Sequence, residues 1–121
     1  MEQSVNETIL VVDDEPTLSS MLDDVLTHHG YKLLQANSAE QALKILQLNK
    51  VDLLISDITM PGMDGFQLME EVNRLYPDMK VQLVSGYNEN IDTGEVLHKR
   101  ILFKPFNNNE LLLRIQSLLN E

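Results

Sequence analysis

Five short apolar runs, spaced along 121 residues with helix-like stretches between most of them, are the feature that most limits the fold of this chain. The runs are "TILVVD" (8 to 13), "YKLLQA" (31 to 36), "VDLLIS" (51 to 56), "KVQLVS" (80 to 85) and "RILF" (100 to 103). The first and third show almost no polar alternation, which suits strands covered on both faces of a sheet. The intervening stretches carry helical spacing. After Pro16, which loses nothing at a first helical turn, come Leu18, Met21, Leu22, Val25 and Leu26, with Gly30 as the stop. Ser38 with Gln41 gives a capping-box pattern ahead of Ala42, Leu43, Ile45 and Leu46. A third helix is expected from about Gly65 to Tyr76, burying Leu68, Val72 and Leu75 and ended by Pro77. The chain closes on a helix with Leu111, Leu112, Ile115, Leu118 and Leu119 on one side.

Strict β-α alternation calls for an α/β fold: a parallel sheet with helices on both faces, joined by right-handed crossovers. The stretch between the last two strands, "GYNENIDTGEVLHK", is poor in apolar residues, and Gly94 would cost roughly 1 kcal/mol relative to Ala inside a helix. A short or mobile helix is expected there, with faster amide exchange over residues 88 to 97 than in the last helix. Residues 1 to 7 are expected to be a flexible tail and 8 to 120 one domain.

Composition excludes several classes. No apolar run approaches the roughly 18 to 20 residues of a membrane span. The polar, acidic start "MEQSVNET" lacks the basic and apolar regions of a secretion signal, and there are no cysteines for disulfides or thiolate metal sites. A cytoplasmic location is the expectation. Nine Lys and Arg against nineteen Asp and Glu give a net charge of −10. That argues against this domain holding nucleic acid by itself, since such binding relies on clustered cations.

In parallel α/β sheets, sites form beyond the carboxyl ends of the strands. The strand ends here carry Asp13-Asp14 (then Glu15), Asp57, Ser85 and Lys104. Taken singly, each has a plain structural account as turn former, helix cap or edge charge. His28 and His29 at a helix end need only its dipole, and the six methionines read as core filling apart from an exposed Met60 and Met63. Taken together, the strand ends supply one reaction. If the first and third strands are neighbours, three carboxylates converge and must either raise a pKa or recruit a cation; an all-oxygen set suits Mg²⁺. With a lysine and a hydroxyl to meet phosphoryl oxygens, the reaction is phosphoryl transfer to a carboxylate, with Asp57 as nucleophile.

These residues resemble the receiver domain of two-component response regulators. The matching pieces are "VVDDEP" (11 to 16), "ISDITMPGMDG" (55 to 65), "LVSGY" (83 to 87) and "FKPF" (103 to 106), in order and spread over nearly the whole chain. The resemblance implies a flavodoxin-like (βα)5 fold with strand order 2-1-3-4-5 and five helices. It makes Asp57 the phosphoacceptor and Asp13 and Asp14 the acidic pair serving Mg²⁺, directly or through water. The backbone carbonyl of Thr59 becomes a further metal ligand, Ser85 the hydroxyl that meets the phosphoryl group, and Lys104 the lysine that does so. Lys104-Pro105 is a candidate cis bond. The implied partner is a sensor histidine kinase or histidine phosphotransfer domain, with no membrane insertion.

This chain departs from the family pattern at Ile101, where many receivers carry Tyr or Phe, so the conformational response is expected to be small or to take another form. The short segment from Ser85 to Lys104 looks more like receivers fused to sensor kinases; a stand-alone receiver and one excised from a hybrid kinase both fit. Two other functions are open. A receiver-fold interaction module independent of phosphate is opposed by the intact Asp13, Asp14, Asp57, Ser85 and Lys104. A phosphohydrolase with an aspartyl-phosphate intermediate would resemble D-x-D, but Thr59 stands where the second acid belongs. An FMN binder is opposed by Asp13-Asp14-Glu15 in the loop where a phosphate cradle would sit.

Overall fold

All five expected strands form, and apolar side chains on alternate residues of the central ones supply two cores. The structure is a computed structural model that describes residues 7–15, 17–60, 62–86, 101–104 and 108–120. Its elements are β1 (Thr8–Val12), α1 (Thr17–His28), β2 (Lys32–Ala36), α2 (Ala39–Leu48), β3 (Leu53–Asp57), α3 (Gly65–Leu75), β4 (Lys80–Gly86), β5 (Ile101–Lys104) and α4 (Asn108–Leu119). The strands pair in parallel in the order β2-β1-β3-β4-β5. Strand order and parallel pairing match the expectation. The fifth helix, placed by expectation between β4 and β5, lies outside the described residues, as do Pro16, most of the N-terminal tail and Pro105.

Ile9 and Val11 of β1, with Leu53 and Ile55 of β3, face Leu22 and Leu26 of α1 and Leu111 and Ile115 of α4. Leu10, Val12 and Leu54 point the other way, toward Ala39, Ala42 and Leu46 of α2 and Leu68 and Val72 of α3. Period-two alternation in the strands thus meets a helical stripe on each side. Each fully buried Leu, Ile or Val contributes about 1.5–3 kcal/mol of apolar burial, so the one or two such residues on each helix, with Ala39 and Ala42 beside Leu46 on α2, fix where that helix lies.

The helix ends follow local chemistry. Gly30, at φ 89°, ends α1: its N–H donates to the Thr27 carbonyl at 3.0 Å and the Tyr31 N–H reaches back to Leu26 at 3.0 Å. That is a Schellman arrangement, which needs a left-handed residue at its turn. Ser38 caps α2 by accepting from the Gln41 N–H at 3.0 Å, but the Gln41 side chain bonds the N–H of Asn37, one residue short of a reciprocal box. The reciprocal box occurs instead at α3, between Asp64 and Gln67.

Two expectations about burial are corrected. Leu75 is 46% exposed, and Tyr76 packs against the α2–α3 core in its stead. Met60 is buried within that core because its apolar side chain packs with Leu10, Val12, Leu54 and Leu68, and Met63 packs partly against the same cluster.

Candidate functional site

β1 and β3 are paired so that Val12 lies beside Ser56. The next residues, Asp13 just past β1 and Asp57 at the end of β3, therefore leave the sheet at the same level. The Asp13 N–H donates to the Ala36 carbonyl (3.1 Å), which extends the β1–β2 ladder by one residue and fixes the acid's main chain. Asp13 and Asp57 are buried while Asp14 is exposed, and one carboxylate oxygen from each lies within 4.8 Å of the others. The convergence expected from neighbouring first and third strands is present.

Hydrogen bonds orient two of the acids. The Glu15 N–H donates to Asp13 Oδ1 at 3.0 Å, and the Thr59 N–H donates to Asp57 Oδ1 at 3.2 Å. Both are Asx-type bonds to a backbone donor two residues on, which is how a carboxylate is held at the start of a turn. Below the carboxylate, the Ser56 hydroxyl donates to the Asp57 carbonyl oxygen at 2.9 Å.

β4 and β5 bring the remaining candidates to the same edge. Asp57 pairs with Val84, so the fully buried Ser85 stands one residue beyond it; Gly86 pairs with Lys104, which puts Lys104 at the carboxyl end of β5. The side chain of Lys104 lies outside the described residues. Ile101 lies opposite Leu83 and is buried with it and Ile58. The clefts of about 340 and 520 Å³ at the amino ends of β3 and β4 contain none of the three acids.

The donor set is three carboxylates with no nitrogen or sulfur ligand, two of them withdrawn from solvent. Hard divalent cations of the Mg²⁺ type prefer such all-oxygen sites, and a buried anionic cluster gains most from one. Chemically, the arrangement offers an anionic oxygen nucleophile flanked by charge that a cation can balance.

Two features at the site were not read from the sequence. One is Ser56, whose apolar strand context gave no sign of a role. The other is Gly65, where an added Cβ would lie 2.5 Å from the Asp57 carbonyl oxygen and 2.8 Å from Ile58 Cα. The signal for the second was available, since Asp64-Gly65-Phe66-Gln67 is a helix-start pattern with glycine at the first helical position.

A family model, "Response regulator receiver domain", matches residues 9–116. Among curated relatives, the response regulator GtcR of Aneurinibacillus migulanus is 35% identical over 95% of this chain and 48% of its own length. The chain spans between about a quarter and a half of the curated relatives it matches first. Among solved structures, a response regulator receiver domain protein from Clostridium thermocellum superposes with a TM-score of 0.82 at 27% identity, covering 94% of each chain. The receiver domain of the hybrid histidine kinase CckA gives a TM-score of 0.76 at 33% identity, covering 93% of this chain and 98% of its own.

Proposed function

This chain belongs to the response regulator receiver domain family of two-component signalling, and from that membership we propose that Asp57 accepts a phosphoryl group from a phosphohistidine donor. The observation that carries the reading is the meeting of Asp13, Asp14 and Asp57 within 4.8 Å at the carboxyl end of the sheet. An oxygen of the Asp57 carboxylate forms the new bond to phosphorus while the donor's N–P bond breaks. The imidazole leaves with that electron pair and takes up a proton. Attack of water on the aspartyl-phosphate reverses the modification, releasing inorganic phosphate and restoring the carboxylate.

Asp13, Asp14 and Asp57, with the Thr59 carbonyl, would hold Mg²⁺, which supplies the charge neutralisation that an anionic nucleophile and an anionic phosphoryl group require. The residues of the chain do the rest. The Thr59 N–H orients the Asp57 carboxylate through Oδ1. Ser85, buried one residue beyond Asp57's strand partner, donates its hydroxyl to a phosphoryl oxygen. Lys104, closing β5 on the far side, supplies a cation for another. The donor is a sensor histidine kinase or a histidine phosphotransfer domain, and the domain acts in the cytoplasm. Its product is a changed partner contact or onward transfer of the group, so it is a signalling module that carries out chemistry on itself.

The test is intact-protein mass after incubation with acetyl phosphate, with and without Mg²⁺, beside Asp57→Asn. One phosphoryl addition that needs both Mg²⁺ and Asp57 is the expected result. No addition, together with no binding of beryllofluoride, would remove the reading.

A further inference from the structure

Asp57 and Ile58 are consecutive residues with separate surroundings. The Asp57 carboxylate belongs to the acidic pocket, while Ile58 is buried in a small cluster with Leu83 of β4 and Ile101 of β5. Packed against that cluster are Phe66 and Met69, both from α3. The peptide between the two residues is also tied to α3 directly. The Gly65 N–H donates to the Ile58 carbonyl at 2.8 Å, and Gly65 sits so close to the Asp57 carbonyl that a Cβ would lie 2.5 Å from it. The Asp64–Gln67 box then fixes the first turn of α3 to this junction.

A displacement of the Asp57 main chain therefore meets α3 through three contacts: steric at Gly65, hydrogen-bonded at Ile58, and apolar at Phe66 and Met69. α2 has no comparable tie. Among the described residues its buried side chains pack with Leu10, Val12, Leu54 and Met60, and none belongs to the cluster around Ile58. Close-packed contacts transmit small shifts because they lack voids to absorb them.

We propose that, among the described helices, α3, coupled through Gly65, Ile58, Phe66 and Met69, reads the state of Asp57. Phosphorylation then alters the position of the first half of α3, and a partner senses the modification there. The proposal rests on the phosphoacceptor reading of Asp57, and a coupling of this kind is reciprocal: a change in the cluster must alter affinity at the site.

The experiment uses the full chain labelled at isoleucine δ1 and methionine ε methyls, titrated with Mg²⁺ and then beryllofluoride, whose binding is followed by fluorine resonance. The methyls of Ile58 and Met69 should shift, while those of Ile9, Ile45 and Ile115, in the other clusters, stay in place. A second arm compares Met69→Ala with Ile45→Ala, two half-buried apolar residues on α3 and α2. Met69→Ala should change beryllofluoride affinity by roughly twofold or more, and Ile45→Ala should not. Bound beryllofluoride with Ile58 and Met69 unmoved, or equal affinity changes in the two variants, overturns the coupling and leaves the phosphoacceptor reading standing. No binding at all removes both.

Discussion

At the scale of the residue, the site is a strained economy of charge. Three carboxylates within 4.8 Å repel one another, and two of them are buried. Asp57→Asn removes one charge without changing shape, so it should abolish phosphoryl uptake and yet raise the thermal midpoint by a few degrees, read by calorimetry in Mg²⁺-free buffer. Adding Mg²⁺ should stabilise the unmodified chain more than this variant, because only the former offers all three carboxylates. A different residue contributes on the alkaline side. Burial, and then the negative charge of Glu7, raises the Tyr31 hydroxyl above its ordinary value of 10.0. The folded state thus favours the neutral phenol. That contribution is fully present below the ordinary value and is lost as pH rises through the folded one. An absorbance titration should show Tyr31→Phe removing a tyrosinate component that titrates above the ordinary value, and Glu7→Gln moving that component down.

At the scale of the element, α3 is anchored by Leu68 and Val72, by the Asp64–Gln67 box and by close approach at Gly65. Leu68→Ala should cost about 2–5 kcal/mol in a denaturant titration, because Leu68 is wholly buried. Asp64→Ala should cost about 1 kcal/mol through the lost cap. The helices themselves were readable from apolar spacing, and the strands from runs without polar alternation. What periodicity could not give was which neighbour covers a face. Leu75 keeps the right phase with Leu68 and Val72, yet the last turn of α3 presents it to solvent while Tyr76 takes the packing position. Met60 failed in the opposite sense. Its place between Thr59 and Pro61 reads as a loop, and its burial depends on a core built from β1, α2 and α3. Gly65 was visible as a helix start, but the 2.5 Å approach behind it belongs to the path of a different segment.

At the scale of the molecule, strand order was the part of the architecture that spacing could not decide, and the resemblance supplied it. The candidate site residues could be grouped from sequence because their chemistry is shared: carboxylates, hydroxyl and lysine each stand at a strand end. Their mutual distances were not legible, because those depend on register, such as Val12 beside Ser56 and Asp57 beside Val84. That register has a consequence for how the protein can be assayed. The three acids and Ser85 come from segments up to 72 positions apart in the chain, counted from Asp13 to Ser85, and they reach the same edge of the sheet only when β1, β3 and β4 are paired in step. A slip of one residue between β1 and β3 would turn Asp13 or Asp57 to the wrong side. The phosphoryl uptake proposed for Asp57 would therefore act as a proofreading signal for the sheet: a chain that took the label would have its central strands aligned, and a misregistered chain would stay silent however compact it was.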